Sequence, residues 1–505
     1  MIKKTFKTFT KFSAYWLASA LFALGLWINL KFGDPSFEQV IYHFQFGSEA
    51  FLSTDTNLLL NFVEYCVLLP LLLALILYHI ERIVLLIKDT AVKRLVNRVL
   101  GYLTSFLLIV QRIVFSLFKK RLPLFLLIFG AAFLLTKVSF WTYLQGLKYE
   151  NFVDQNYVQP INVKPPILKK NLILIYVESL ETTYRNEKLF ERNLLKTLDH
   201  ETNQWASVKN FQQVSGTGWT IAGIVSSQCG IPLRPYIWFD KDEPDNQIDG
   251  NKLGEKANYF MPGAICMGDL LKNAGYKNVF LGGASKAFAG KGKFFSNHGY
   301  DEIYGREDWM ALGEKSFNGW GLYDDRLFHH AKLKLDELQQ ANKPFNLTLL
   351  TLDTHPPGGH ASAYCNNYGV RDLLGIYECT ADIVANFIQY IKIKGYDKNT
   401  NIVIIGDHLS MVNNHYDQLT QEKNRTIYNK FYALKPLIPN RDTMYHFSVF
   451  PSIMYMLGFD FAKNRLALGA SIFGELDSQF KLHADGDINT KLNAKSEIYK
   501  KIWSY

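Results

Sequence analysis

Three apolar stretches in the first 145 residues constrain the fold more than any other feature of the chain. Residues 13–30, 58–79 and 122–144 are each long enough to cross a hydrocarbon core of about 30 Å as a helix. The average over 505 residues hides this division. Hydrophobic content is 48% and mean hydropathy is near zero, because the part after about residue 145 has ordinary globular composition. No small-residue cleavage site follows the first span and further spans come after it, which argues against a removable signal peptide.

Flanking charge sets an orientation. Lys3, Lys4, Lys7 and Lys11 precede the first span, the loop 31–56 has one Lys and several acidic residues, and 82–121 is rich in Arg and Lys. The positive-inside rule then leaves the N-terminus and 82–121 in the cytoplasm, and 31–56 outside. The stretch 98–118 carries Gln111 and Arg112 and is followed by Lys119, Lys120 and Arg121. It is expected to lie in the interface as an amphipathic helix. Three spans place the rest of the chain outside. The expected organisation is a membrane domain over 1–144, an extended linker over 145–170 with three prolines and no helical period, and an extracytoplasmic domain over 171–505.

Formal net charge is +9. Beside apolar spans, that favours contact with anionic lipid over nucleic acid. No zinc-finger spacing or helix-turn-helix pattern supports a nucleic-acid partner. Of five cysteines, Cys66 lies in an apolar segment. Cys229, Cys266, Cys365 and Cys379 belong to the exported part, where two disulfides are expected, with three pairings open; four free thiols are the alternative.

From residue 171, apolar strands (171–177, 279–283, 346–352, 401–405) alternate with amphipathic stretches (219–227, 266–274, 324–341, 373–393). The alternation predicts an α/β sandwich with a mainly parallel sheet. Residues 445–474 are expected to add a final helix and an edge element. Two of the strands end in chemistry. Ile402-Val-Ile-Ile405, all β-branched, runs into Gly406-Asp407-His408, and Leu172–Val177 runs into Glu178-Ser179. Open α/β sheets gather ligands at such strand ends, and carboxylates beside an imidazole suit a divalent cation. In Ser215-Gly-Thr-Gly-Trp219-Thr220, glycines lead into a hydroxyl at a helix start. Free N–H groups there favour a phosphoryl group, and a Thr so placed can attack phosphorus if a metal stabilises its alkoxide. The plainer alternative is that Thr220 only caps the helix.

These blocks, in this order, resemble the alkaline phosphatase/sulfatase superfamily. They are most similar to its membrane-anchored phosphoglycerol transferase branch, which includes lipoteichoic acid synthases and the transferases that act on periplasmic glucan. The similarity covers Glu178-Ser-Leu-Glu-Thr-Thr-Tyr184, Thr220-Ile-Ala-Gly through Ser227-Gln-Cys-Gly-Ile-Pro-Leu233, and Cys266-Met-Gly-Asp-Leu-Leu. It continues through Phe288-Ala-Gly-Lys291, His298-Gly-Tyr-Asp301, Trp320-Gly-Leu-Tyr-Asp-Asp325, Leu352-Asp-Thr-His355-Pro and Asp407-His-Leu.

The resemblance implies metal ligands at Glu178, Thr220, Asp407 and His408, with Thr220 as nucleophile and His355 as donor or acid/base partner. It also implies substrate contacts at Lys291, His355, Trp219 and Trp320. Lys291 falls near an Arg of lipoteichoic acid synthases and supplies its charge without the bidentate fork. The donor set suits Mn²⁺ or Mg²⁺, with Zn²⁺ used in related branches. Phosphatidylglycerol is the implied donor, a periplasmic or cell-surface glycan the acceptor, and the bacterial inner membrane the location. A phosphoethanolamine transferase is the alternative enzyme. A sulfatase would need Cys/Ser-x-Pro-x-Arg, and Cys229-Gly-Ile-Pro232-Leu-Arg234 is one residue too long. A non-catalytic scaffold would show decay at the ligand positions, and all are present. Cys365–Cys379 is expected as a local bridge, leaving Cys229 with Cys266.

Overall fold

The computed structural model describes residues 2–43, 56–87, 105–149, 151–235, 259–367, 369–370, 372–482 and 485–504. The chain divides into two compact units, residues 1–35 with 56–141 and residues 36–55 with 142–505.

The first unit is helical. Phe9–Phe32 and Leu58–Ile80 are long and apolar enough to cross a membrane, and a third span is reached if the bent pair Arg121–Lys137 and Phe140–Gly146 is one. Glycines let two helices approach: a Cβ on Gly130 would stand 2.6 Å from the Ala18 carbonyl oxygen, and one on Gly25 would stand 3.1 Å from Leu134 Cα. Small residues serve that purpose where apolar surface alone cannot drive association. Leu60, Leu68, Leu72, Phe125, Ile128 and Phe129 stay more than half exposed, as lipid-facing side chains do.

Two expectations change here. The span drawn over 122–144 is bent by 67°, at Ser139, which takes a left-handed φ of 52°. The interfacial helix drawn around 98–118 is not separate. Its residues 98–104 lie outside the described residues, and the rest belongs to one helix, Ser105–Lys137, which continues through Pro123. Lys119, Lys120 and Arg121 are good helix formers, so nothing before the proline ends it.

The second unit is an α/β domain whose sheet is mostly parallel. Its strands are β1 Asn171–Val177, β2 Asn210–Gln212, β3 Lys277–Gly282, β4 Glu302–Tyr304, β5 Phe345–Leu350, β6 Thr400–Gly406, β7 Asn429–Tyr432 and β8 Thr443–Tyr445. Six of them form the main sheet in the order β4-β3-β5-β1-β6-β7, with only β7 antiparallel to its neighbour. The alternation of side chains along a strand divides the apolar residues between two cores. Leu172, Leu174, Tyr176, Val403 and Ile405 enter one, and Ile173, Ile175, Val177, Ile402 and Ile404 enter the other. Each such side chain contributes roughly 1.5–3 kcal/mol by leaving water, which fixes β1 and β6 at the centre.

The expected helices appear as Thr220–Cys229, Met267–Asn273, Asp324–Gln340 and Leu373–Ile393. β5 ends two residues before the apolar pattern does. The Asp324 carboxylate accepts from Leu352 N and Asp353 N and draws that backbone out of the sheet. After Val449–Met456, the edge element forms a separate two-stranded piece, Arg465–Leu466 with Gly469–Ala470. The stretch expected as an extended linker contains a helical turn, Phe152–Asn156. Its Asp154 accepts from Ser496 Oγ, Glu497 N and Ile498 N at the start of the Glu497–Trp503 helix, so the turn is held by the helix it caps. Disulfides join Cys229 to Cys266 and Cys365 to Cys379.

Candidate active site

Register explains why distant residues meet. Val177 on β1 pairs with Gly406 on β6, and Tyr176 pairs with Leu350 on β5. The next residues, Glu178, Asp407-His408 and Thr351, therefore leave three adjacent strands at one edge. Ser179 turns the chain with a left-handed φ of 57°. Its N–H donates to Asp407 Oδ1 at 2.8 Å and its hydroxyl to Glu178 Oε1 at 2.8 Å. Thr351 Oγ1 accepts from Glu178 N, and Thr354 Oγ1 donates to Glu178 O. Glycine lets the Thr220–Cys229 helix close on this edge: a Cβ on Gly223 would stand 1.9 Å from the Asp407 carbonyl oxygen.

Thr220 is the first residue of that helix, and Trp219 holds the cap position without a side-chain cap bond. Thr220 is therefore not the cap. Its hydroxyl lies 3.2 Å from Glu178 Oε2 and 3.5 Å from His408 Nε2. His408 Nδ1 donates to the Leu409 carbonyl at 2.8 Å, which leaves Nε2 as the ring nitrogen turned into the cluster. That nitrogen is 3.4 Å from Glu178 Oε1 and 3.5 Å from Asp407 Oδ2. Asp407 Oδ1 accepts from Ser179 N and His408 N, whereas the buried Oδ2 accepts no hydrogen bond among the described residues. Donor atoms of Glu178, Asp407 and His408 all lie within 4.8 Å of one another. An unspent buried carboxylate oxygen, an inward ring nitrogen that can give up its proton to a metal and a hydroxyl fit a divalent cation, since an orphaned buried acceptor is otherwise costly.

A cavity opens beside the cluster, lined by Glu178, Thr220, Phe288, Lys291, Trp320 and His355 among others. The His355 ring lies against Trp320 with centroids 4.3 Å apart, and its Nδ1 faces the Pro356 carbonyl at 2.8 Å, leaving Nε2 as the exchangeable position. Lys291 is buried, with Nζ 4.8 Å from the centre of the Phe288 ring. Trp219 does not line the cavity. It is buried at the cap position, one residue before Thr220.

The sulfatase family profile matches residues 170–428, just over half of the chain. The chain belongs to the sulfatase family. Phosphoglycerol transferase I of Xanthomonas axonopodis pv. citri (strain 306) is 37% identical over 267 residues, 51% of this chain and 36% of that protein. The protein of the same name from Escherichia coli O6:K15:H31 is 36% identical over 288 residues, 55% of this chain and 36% of that protein. The chain thus spans little more than a third of the length of these curated relatives. Among solved structures, a protein in the alkaline phosphatase superfamily from Vibrio parahaemolyticus aligns with TM-score 0.48 and 21% identity, over 67% of this chain and 79% of that one. The lipoteichoic acid synthase LtaP from Listeria monocytogenes aligns with TM-score 0.47 and 18% identity, over 65% and 81%.

In this sulfatase-family site, the electrostatics follow from crowding charge out of water. Burial opposes ionisation of Glu178, but the charge on His408 outweighs it and holds the carboxyl below its usual range. Burial, with Glu178 adding to it, pushes Asp407 up to about 7. Burial pulls His408 down, and Asp407 and Glu178 more than reverse this, to about 9. Burial lowers Lys291 to about 8 against the pull of the same carboxylates, and it lowers His355 as well.

Several supporting residues carried no signal in the sequence. His446 Nε2 donates to the Asp407 carbonyl at 2.7 Å and is kept neutral by burial, at about 3. A lone His in Tyr-His-Phe-Ser gives no hint of this. Glu181 pairs with Arg425 and accepts from Ser410 N at 3.0 Å, while Arg425 Nη2 donates to Ser410 O at 2.6 Å. Together they hold the backbone that follows His408.

Proposed function

We propose that this chain transfers phosphoglycerol from phosphatidylglycerol to a glycan hydroxyl on the outer face of the cytoplasmic membrane. The transfer passes through a phosphoglyceryl ester on Thr220 and releases diacylglycerol. One observation carries the reading: the Thr220 hydroxyl, shared between Glu178 and His408, lines a cavity that also holds a buried Lys291 and His355. The relatives named phosphoglycerol transferase I support the group transferred. The apolar helices support a donor drawn from a membrane.

Glu178, Thr220, Asp407 and His408 would hold a divalent cation, with Mn²⁺ or Mg²⁺ suited to the oxygen donors and Zn²⁺ an alternative. Bound there, it would acidify the Thr220 hydroxyl and offset charge on the phosphoryl group. Thr220 Oγ1, which enters and leaves the cycle deprotonated with its proton gone to solvent, attacks phosphorus, and the bond to the diacylglycerol oxygen breaks. Protonated His355 gives its Nε2 proton to that oxygen, and burial, by lowering its pKa, favours the release. In the second half, neutral His355 takes the proton of the acceptor hydroxyl, whose oxygen attacks phosphorus and frees Thr220. His355 returns protonated, so the two halves balance.

Lys291 bears on the choice of headgroup. A buried cation in the cavity favours an anionic phosphodiester with a neutral glycerol and disfavours the ammonium of phosphoethanolamine by like-charge repulsion. The test offers phosphatidylglycerol and phosphatidylethanolamine in equal vesicles to the full chain and measures diacylglycerol. The reading expects release from the first lipid, abolished in Thr220→Ala. Preferential release from phosphatidylethanolamine would make the chain a phosphoethanolamine transferase instead.

A further inference from the structure

The segment that follows the first apolar helix belongs to the α/β unit rather than to the membrane unit. Residues 37–43 are helical and bury a polar face: Glu38, Gln39 and Tyr42 are 1%, 8% and 0% exposed. Ordinary amphipathic packing would bury Phe37, Val40 and Ile41 instead, yet these are only partly buried. The polar face is placed by specific contacts. Tyr42 Oη donates to the Ala289 carbonyl at 2.7 Å, and its ring lies 5.8 Å from that of Trp219.

Both contacts adjoin the reacting groups. Ala289 stands two residues before Lys291, in the turn Phe288–Gly290, with φ 54° and ψ 24°. The left-handed conformation is unfavourable for an alanine, whose Cβ crowds the following carbonyl oxygen. It persists only where neighbours determine it. Trp219 stands one residue before Thr220. One phenol therefore touches the turn that delivers the cavity's cation and the cap that delivers its hydroxyl.

We propose that Tyr42 is a positioning residue of the active site, holding the Ala289 turn so that Lys291 faces the phosphoryl group, and that residues 36–43 are thereby part of the catalytic unit. The inference rests on the proposed phosphoglycerol transfer for its substrate but not for its geometry. A residue that merely props the fold would lower stability alone. A positioning residue shifts substrate binding, and its loss can be offset where the strain is removed. Glycine takes the left-handed conformation without a Cβ penalty, so Ala289→Gly supplies that offset.

The test uses the full chain in vesicles. Tyr42→Phe keeps the ring on Trp219 and removes the hydrogen bond to the Ala289 carbonyl. It should raise KM for phosphatidylglycerol about three- to ten-fold with little change in kcat, as expected for one lost hydrogen bond acting through binding. Tyr42→Phe/Ala289→Gly should recover most of that loss. Binding of glycerol phosphate, measured by calorimetry, should weaken and recover in parallel. Wild-type KM and wild-type glycerol phosphate affinity in Tyr42→Phe would overturn the proposal, as would a loss that Ala289→Gly leaves unchanged. If the wild-type chain releases no diacylglycerol, the proposed function fails, and the binding measurement still decides the role of Tyr42.

Discussion

Glu178, Asp407 and His408 form one cluster of ligand-type side chains, and Cys266, Asp269 and His298 form another; in each, the donor atoms lie within 4.8 Å of one another. Residue type does not separate the two, but the use already made of each donor does. In the second cluster the Cys266 sulfur is bonded to Cys229. Asp269 Oδ2 accepts from Cys266 N and faces His298 Nδ1, and His298 Nε2 faces the Phe260 carbonyl at 3.0 Å. That cluster is spent on tying a helix start to neighbouring loops. In the first cluster Asp407 Oδ2 accepts no hydrogen bond among the described residues, and His408 Nε2 is turned into the cluster. A site for chemistry is marked by donors the fold leaves unused, at the ends of strands whose register the core has fixed.

Removing the proposed nucleophile should have the largest effect. Thr220→Ala is expected to lower diacylglycerol release at least about 10³-fold, in the range seen when other nucleophiles are removed, while elemental analysis still finds part of the metal. The two clusters should then part company. Asp407→Asn should lower activity about 10²-fold or more through lost metal, with unfolding little changed in chelator. His298→Ala should leave the metal content intact and cost about 2–4 kcal/mol in denaturant unfolding, since it empties a buried site and strips partners from Asp269 and Phe260. Metal lost from His298→Ala, or retained in Asp407→Asn, would erase the contrast.

Much of this was legible because burial leaves a plain signature. The apolar runs on β1 and β6 announce central strands, and their ends announce Glu178, Asp407 and His408. Thr220 was legible as a helix start after glycines, although its place inside the first turn rather than at the cap required coordinates. β4 and β7 were not legible: three or four residues, with Lys430 inside β7, give no run to read. The bend at Ser139 and the single helix Ser105–Lys137 were hidden because hydropathy reports length and polarity but not a backbone angle. The burial of Glu38, Gln39 and Tyr42 was hidden because the pattern points to Phe37, Val40 and Ile41 as the inward face.

Smaller effects probe the charges around the first cluster. Burial lowers Lys291 to about 8, and a bound cation would push it further down. In the proposed transfer its charged form holds the phosphoryl group, so kcat/KM should fall as pH rises towards about 8. Lys291→Arg should remove that alkaline limb, because guanidinium stays charged. An unchanged limb would assign it elsewhere. The smallest expected effect is at Asp324, which braces the backbone between β5 and His355. Burial raises its carboxyl to about 7, so the folded state holds a proton that the unfolded chain releases near pH 4. The resulting stability is present below about pH 4 and lost as pH rises through about 7. Asp324→Asn should flatten unfolding free energy across that window, and a slope equal to wild type would refute the assignment.

The central claim is a covalent ester on Thr220, and mass spectrometry of the quenched protein tests it most directly. The full chain, incubated with phosphatidylglycerol and no acceptor, should carry one glycerophosphoryl group on the peptide containing Thr220, with diacylglycerol released in matching amount. The same group on another residue, or diacylglycerol released by Thr220→Ala at the wild-type rate, would contradict the account.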